Sequence, residues 1–223
     1  MKKIFTIFVV ILFIASITGC KQKSKVNNND YSRDEPVKQE INITWQKRFE
    51  GKFAAVAASI QQTNDGGYVV AGGTCGLDSY YLYRAENYDA YILKLDSHGN
   101  IEWEKIYGGK RVDFIHSIQQ TKDNGYICAG YTGSFDNPKK GESWHYDAYV
   151  LKLDSNGNLE WEKAYGGNYC DSAYYIKQTK DDGYIVAGTL DITEEDRKGY
   201  AGILKLDSKG NLEWQIKLKG KGS

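Results

Sequence analysis

The chain has 223 residues, enough for one domain or at most two small ones. Lys plus Arg and Asp plus Glu both total 29, and removal of the first nineteen residues leaves 27 against 29, so no basic excess points to nucleic acid as a partner. Tyr (18) and Gly (24) are abundant whereas Pro (2) and Met (1) are scarce, which favours short strands joined by tight turns over long helices.

The first twenty residues, MKKIFTIFVVILFIASITGC, predict export. Lys2 and Lys3 precede the apolar run Ile4–Ile17, which is shorter than the roughly 20 residues of a membrane-spanning helix and suits a signal peptide. The end of the run, Ile-Thr-Gly-Cys20, resembles the lipobox of bacterial lipoproteins. This resemblance implies that residues 1–19 are removed and that Cys20 is lipidated, which would anchor the exported chain to a membrane of the cell envelope.

Residues 20–40 are expected to be the lipidated cysteine and a flexible tether. The segment 21–40, KQKSKVNNNDYSRDEPVKQE, has almost no apolar side chains, so burial cannot offset the entropy lost on ordering. As a flexible coil it would reach roughly 25 Å. The sequence therefore predicts a folded domain at 41–218, held clear of the membrane surface.

Internal repetition dominates the predicted domain. Corresponding residues lie 58 positions apart between the first and second units, and 58 or 53 apart between the second and third. Three landmarks keep this period: Gly-Tyr-x-x-Ala-Gly at 67–72, 125–130 and 183–188; Leu-Lys-Leu-Asp-Ser at 93–97, 151–155 and 204–208; and the tryptophans Trp45, Trp103, Trp161 and Trp214. Such a period indicates tandem copies of one supersecondary unit.

Each unit is predicted to contain four strands, called a to d. In the second unit they are Ser117–Thr121, Tyr126–Tyr131, Ala148–Leu153 and Asn158–Lys163. The turns at 122–125 and 154–157 carry the Asp, Asn and Gly residues typical of hairpins. Strand b is apolar on both faces, whereas strand d alternates. A sheet buried at its inner strands and half-exposed at its last strand is typical of a β-propeller blade.

The repeat pattern W-x-K-x-Y/F-G-G…S-I-Q-Q-T-x-D-G-G-Y-I-V-A-G…Y-D-A-Y-I-L-K-L-D-S-x-G-N-x-E-W resembles that of secreted and lipid-anchored prokaryotic β-propeller proteins. The phrase Leu-Asp-Ser-x-Gly-Asn-x-x-Trp also resembles, more distantly, quinoprotein-type propellers. The resemblance covers about residues 41–218. It implies an all-β, propeller-like fold and leaves function open, because such repeats are scaffolds.

The number of units departs from a closed propeller. Propellers have four to eight blades, whereas this chain supplies three units and one extra leading strand, Ile43–Lys47. Three arrangements stay open: an arc of three blades, a homodimer that closes a six-bladed ring, and a β-trefoil-like threefold barrel. Each repeat tryptophan is expected to pack on its own blade, with a smaller contribution from Trp45 on the leading strand.

No constellation of residues demands a chemical reaction. The histidines lie in different elements without metal-ligand spacing, so neither a metal site nor a cofactor is predicted; they are His98, His116 and His145. Asp89 and Asp147 recur before strand c, and the third unit has Gly-Tyr200-Ala instead. Drift of the repeat is the favoured interpretation of that difference.

The cysteines after Cys20 divide into two kinds. Cys128 replaces a valine of strand b and is expected to be a core residue. Cys75 and Cys170 are assigned to loop types on one face, and an exported setting permits a disulfide. Because the two Cα atoms would have to lie within roughly 7 Å, the sequence leaves open whether they pair.

The connections between strands b and c are the longest, and they carry aromatic residues. Exposed aromatic side chains with polar neighbours often carry binding energy. We therefore expect a ligand to contact Tyr81, Tyr83, Trp144 and His145. The Tyr-Gly-Gly segments at 107–109 and 165–167, between strand d and the next strand a, are expected on the same face.

These patterns favour a lipid-anchored, non-catalytic binding or scaffold module at the cell envelope. Its membrane contact would be the lipid on Cys20, and its partner a protein or a glycan. One alternative is an envelope enzyme, a hydrolase or a quinone-type oxidoreductase, with its site in a central channel. Another is a structural subunit of a larger envelope complex.

Overall fold

The computed structural model describes residues 53–76, 88–135, 145–167, 170–190 and 201–218, and every regular element in these ranges is a β-strand. The predicted signal peptide, tether and leading strand lie outside the described residues. Within the described ranges, no helix is long and apolar enough to cross a lipid bilayer.

The strands form three separate four-stranded antiparallel sheets, each with its strands in chain order. Blade 1 comprises β1 Phe53–Gln62, β2 Tyr68–Gly76, β3 Tyr88–Leu95 and β4 Ile101–Tyr107; blade 2 comprises β5 Asp113–Gln120, β6 Tyr126–Thr132, β7 Asp147–Leu153 and β8 Leu159–Tyr165; blade 3 comprises β9 Ser172–Gln178, β10 Tyr184–Thr189, β11 Ala201–Leu206 and β12 Leu212–Leu218. One sheet per repeat confirms the all-β, propeller-like prediction and does not fit a single trefoil-like barrel.

Strand a begins four residues earlier than its pattern indicates, at Asp113 in blade 2. The register shifts between Ile115 and Ser117, so His116 is the extra residue of a β-bulge. A bulge interrupts the alternation on which strand prediction depends. The bulge also brings the backbone of strand a close to β6. A Cβ atom on Gly130 of β6 would lie 1.7 Å from the carbonyl oxygen of Phe114. The last glycine of Gly-Tyr-x-x-Ala-Gly is therefore required by this close approach.

The blades stack face to face and share their cores. One apolar cluster joins Val69, Ala71, Ala90 and Ile92 of blade 1 to residues of blade 2 that include Tyr126. A second cluster joins blades 2 and 3 in the same way. In blade 2, strands b and c are buried, whereas strand d is mainly exposed or half-buried, as the sequence predicts. Burial of these apolar side chains between sheets is the main favourable contribution to folding.

Trp103 and Trp161 each pack on the following blade, so the expectation that they pack on their own blades is wrong. Trp103 of β4 makes an edge contact with Tyr126 of blade 2, with ring centroids 5.6 Å apart. A Cβ on Gly157, in the c–d turn of blade 2, would lie 2.8 Å from the Trp103 ring. That glycine also has a positive φ of 76°, so both its conformation and its missing side chain are needed. Trp161 packs on Tyr184 in the same way.

The opposite end of each blade, which carries the a–b and c–d turns, is held by a buried lysine of strand c. Lys152 Nζ lies 2.9 Å from Asp123 in the a–b turn and 3.2 Å from Glu160 on strand d. It also donates to the carbonyl of Leu153 at 3.1 Å. Lys94 and Lys205 repeat these contacts in blades 1 and 3. The lysine of Leu-Lys-Leu-Asp-Ser therefore ties three segments of its own blade together.

Candidate functional site

The b–c and d–a connections share one end of the blades, called the upper face below. The b–c intervals span 77–87, 133–146 and 190–200, and the other connections are shorter, so the predicted difference in length is confirmed. Tyr81, Tyr83 and Trp144 lie outside the described residues. His145 is described: it is half-buried, and its Nδ1 atom is buried without a hydrogen-bond partner.

Aromatic side chains from all three blades meet at the upper face. Phe114 stacks on Tyr131 with ring centroids 5.9 Å apart and an interplanar angle of 13°. Tyr131 contacts Tyr146 at 4.9 Å, and His116 lies between Phe114 and Tyr174, 5.1 Å from each. Tyr88 of blade 1 contacts Phe114 at 6.3 Å. These six residues are called the aromatic cluster: Tyr88, Phe114, His116, Tyr131, Tyr146 and Tyr174.

The β-bulges of strand a position the centre of this cluster. The register shifts place Ala58, His116 and Tyr174 at the extra position in blades 1, 2 and 3. A bulge redirects the side chain that it carries, and here it brings the His116 ring against Tyr174 of the next blade. Tyr174 is exposed, so the cluster reaches solvent at blade 3. Sequence reasoning missed this group because a bulge leaves only a weak signal in the alternation.

The cluster is uncharged at neutral pH. Burial lowers the pKa of His116 below its usual value, which favours the neutral imidazole. Burial also raises the pKa of Tyr131, and the neighbouring Tyr146 and Tyr88 add to the increase. A neutral, largely aromatic surface suits contacts with apolar faces of a ligand rather than with a strong charge.

Two polar atoms without hydrogen-bond partners lie beside the cluster, where blade 2 meets blade 3. They are Nδ1 of His145 and Oγ of Ser172, and both are buried. The neighbouring residues are joined, because Asp171 N donates to the carbonyl of Tyr146 at 2.8 Å. Buried polar groups are nearly always paired. A hydrogen-bonding ligand or water at this junction would satisfy both atoms.

Paired aspartates stand at each junction between blades. Asp113 is fully buried and accepts hydrogen bonds from Gly109 N (2.9 Å), Ser134 Oγ (2.6 Å) and Thr132 Oγ1. Burial raises its pKa, and burial together with the Asp113 charge raises that of Asp89 in blade 1. The aspartates in strands c and a are thus coupled across the junction.

Asp147 and Asp171 form the corresponding pair between blades 2 and 3. A Cβ on Gly166 would lie 2.1 Å from Asp147 Oδ1 and 2.7 Å from Asp171 Oδ2, so both carboxylates border that glycine. Gly167 N donates to Asp171 Oδ2 at 3.0 Å. The Tyr-Gly-Gly glycines therefore accommodate the junction carboxylates rather than lending flexibility to a ligand site. The third unit has Tyr200 at the position of Asp147, and Tyr200 lies outside the described residues, so drift of the repeat stays a prediction.

Other polar candidates are engaged in packing. Ser59 Oγ and Gln61 Oε1 of strand a accept backbone N–H groups of Ile118 and Gln120 in blade 2, at 3.2 and 2.7 Å. In the same way, Ser117 Oγ and Gln119 Oε1 accept the backbone N–H groups of Ile176 and Gln178 in blade 3. The polar residues of strand a thus join neighbouring blades.

The three described cysteines, Cys75, Cys128 and Cys170, form no disulfide. Cys128 is a buried core residue, as predicted. Cys75 lies at the end of β2 rather than in a loop. Cys170 hydrogen-bonds the Tyr146 hydroxyl, and burial together with this thiol raises the pKa of Tyr146. Over the five described ranges, no group of three or more His, Cys, Asp or Glu side chains is arranged to hold a metal ion.

Comparisons with known proteins do not place the chain in a family. No family model matches the sequence, and no curated protein matches it. Among solved structures, the chain is similar to a protein of unknown function from Bacteroides caccae at 13% identity. That match covers 77% of this chain and 70% of the other, with a TM-score of 0.31.

Proposed function

We propose that this protein is a non-catalytic binding module that a lipid on Cys20 holds at the outer side of a membrane of the cell envelope. The ligand is a protein or a glycan, and it binds at the upper face over the junction of blades 2 and 3. The aromatic cluster carries this proposal. Aromatic side chains on a rigid scaffold give large contact area at low entropic cost.

The unpaired atoms support this location. Nδ1 of His145 and Oγ of Ser172 are buried without hydrogen-bond partners, and along the chain His145 precedes Tyr146 directly while Ser172 stands two residues before Tyr174. An apolar surface with a few convergent polar groups is the usual composition of a binding site. The b–c connections, with Tyr81, Tyr83 and Trp144, belong to the same end of the blades and would extend the contact.

The polar side chains of strand a favour binding over catalysis. An enzyme with a site in a central channel would need convergent titratable groups there. In blades 1 and 2 the hydroxyl and amide groups of strand a instead accept backbone N–H groups of the next blade. The buried aspartates at the junctions likewise bind glycine N–H groups and neighbouring hydroxyls.

Substitution of Tyr174 should separate ligand binding from folding. Because Tyr174 is exposed, Tyr174→Ala is expected to weaken ligand binding at least about tenfold while the melting temperature changes little. Ser155→Ala, in the c–d turn at the opposite end, is the control and should change neither. Binding can be measured by hydrogen exchange in the presence of oligosaccharides or of a cross-linked envelope protein. Protection confined to 64–67, 97–100, 155–158 and 208–211 would place the ligand at the wrong end.

Anchoring is tested at Cys20, which lies outside the described residues. Cys20→Ser removes the thiol that the lipobox resemblance marks for acylation, so the variant is expected to stay uncleaved and to incorporate no radiolabelled fatty acid. Cys128→Ser is the matched control, since Cys128 is a core residue. Normal lipid labelling of the Cys20 variant would contradict the lipoprotein proposal without affecting the binding-site proposal.

A further inference from the structure

The face of blade 3 that points away from blade 2, called the terminal face below, is an apolar surface. On β12, Trp214, Ile216 and Leu218 are 45%, 47% and 52% exposed. On β9, Tyr175 is 56% exposed. The middle strands contribute Ile185, Ala187, Ala201 and Ile203, which are exposed or half-buried.

The same face is covered in the other two blades. The counterparts of the middle-strand residues in blade 2 are Ile127, Ala129, Ala148 and Val150, and all four are buried against blade 3. Blade 1 is covered by blade 2 in the same way. In blades 1 and 2, the next sheet of the repeat covers this face. The corresponding face of blade 3 is therefore suited to contact with another such sheet.

Blade 3 lacks the polar groups that join one blade to the next. Ser59 and Ser117, which accept a backbone N–H of the following blade, correspond to Tyr175. Gln61 and Gln119, which accept a second N–H, correspond to Lys177. A further blade in the usual register would leave its N–H groups without acceptors, which is costly in a buried interface.

The replacements on strand d make the terminal face more apolar. Lys105 and Lys163 donate to Asn158 and Asn211 of the following blade, at 3.2 and 2.7 Å, and their counterpart is Ile216. Tyr107 and Tyr165 donate to turn carbonyls of the following blade, and their counterpart is Leu218. At both positions blade 3 therefore has an apolar side chain where blades 1 and 2 have a hydrogen-bond donor.

We propose that the terminal face binds a second copy of this chain, with blade 3 against blade 3 across a two-fold axis. The identical face presents mainly apolar side chains, so two copies of it complement each other. Head-to-tail stacking would instead present blade 1 and its strand-a N–H groups to Tyr175 and Lys177. The same replacements disfavour a six-bladed ring, in which blade 3 would have to receive blade 1 of the second copy.

The size and charge of the face fit a closed dimer. At these exposed fractions each large side chain leaves roughly 100 Å² uncovered, so the whole face offers on the order of 600 Å² per copy. A stable interface buries about 800 Å² per partner, and the rim of the sheet can supply the rest. Lys177 lies on β9, three strands from β12 and thus roughly 14 Å away, where it stays in solvent. Isologous contacts of this kind close at two copies.

The test compares two substitutions of isoleucine by lysine on strand d. Ile216→Lys restores the residue of the other repeats at that position and puts a charge into the interface. Ile106→Lys is the matched control: Ile106 is also exposed, and its counterpart in blade 3 is Lys217. Sedimentation of the full chain, purified from bacterial membranes in detergent, should show a dimer for the wild type and for Ile106→Lys. For Ile216→Lys we expect at least about a tenfold higher dissociation constant with an unchanged melting temperature.

Cross-linking in intact cells tests the symmetry. Ile216→Cys should form a disulfide with itself between two chains, giving a dimer on non-reducing gels, whereas Ile106→Cys should not. A wild-type monomer at every concentration, or a dimer that Ile216→Lys leaves intact, would overturn the proposal. In head-to-tail stacking Ile216 would face Asn100, the counterpart of Asn158 and Asn211 in blade 1. Cross-links between Ile216→Cys in one chain and Asn100→Cys in another, in place of the self-cross-link, would therefore overturn the proposal too.

Discussion

Replacing Trp103 with alanine is expected to lower the free energy of unfolding by about 3–5 kcal/mol. The indole packs on Tyr126 and over Gly157, which has no side chain to fill the space that the ring would leave. It also packs against the apolar cluster that joins blades 1 and 2. The loss should therefore weaken the contact between two blades, and urea unfolding followed by circular dichroism would measure it.

Trp214 is the matched control for that experiment. It occupies the same repeat position, but no described blade packs on it and the side chain is 45% exposed. Trp214→Ala, measured at concentrations where the chain is monomeric, should cost under about 1 kcal/mol. Equal losses at Trp103 and Trp214 would contradict packing on the following blade.

The same reasoning changes the expectation for Trp45, which lies outside the described residues. Its counterpart Trp103 packs on Tyr126, and 58 residues before Tyr126 stands Tyr68, which is buried on blade 1. Leu95 on that face is also fully buried. If the repeat continues, Trp45→Ala should cost about as much as Trp103→Ala, so the leading strand would be integral rather than an edge addition.

The strands and their order could be predicted from the sequence because they depend on local signals. Strands b, c and d follow from apolar runs and Asp-Gly-rich turns, and their bounds agree with the structure to within one or two residues. The start of strand a could not be predicted, since the bulge at His116 breaks the alternation. Gly130 marks that bulge in the sequence, but one glycine does not say which backbone approaches it.

Contacts between blades were harder to predict than contacts within them. The junction pair Asp147–Asp171 joins residues of two repeats, and nothing in either repeat alone indicates that they meet. The third unit has Tyr200 in place of this aspartate, and a sequence pattern alone attributes such a difference to drift of the repeat. The same holds for part of the aromatic cluster, because Phe114 and His116 of blade 2 meet Tyr174 only when blade 3 packs on blade 2.

Replacing Lys152 with alanine is expected to destabilise the protein by about 2–4 kcal/mol. The side chain is almost fully buried, and its ammonium group binds Asp123, Glu160 and the carbonyl of Leu153. Alanine would remove the buried stem together with these three partners. Lys152→Met keeps most of the stem and should therefore lose only about half as much, which separates packing from charge.

Lys122→Ala is the control for the charge itself. Lys122 pairs with Asp182 at 2.6 Å, but both side chains are more than half exposed. Exposed ion pairs contribute little because water already stabilises each charge, so the expected loss is under about 1 kcal/mol. Similar losses for Lys122→Ala and Lys152→Ala in urea unfolding would show that burial of the strand-c lysine does not matter.

The buried lysines also give the stability of the protein a characteristic dependence on acid pH. Burial alone would raise the pKa of Asp123, but hydrogen bonds from Thr121 and Lys152 outweigh it and lower the pKa to about 2. Because the carboxyl titrates near 3.8 in the unfolded chain, its contribution is complete above that pH and is lost as the pH falls toward about 2. In Lys152→Met the pKa of Asp123 should rise toward 3.8. The variant should therefore lose less stability than the wild type between pH 4 and pH 2, and an equal loss in both would contradict the lysine as the cause.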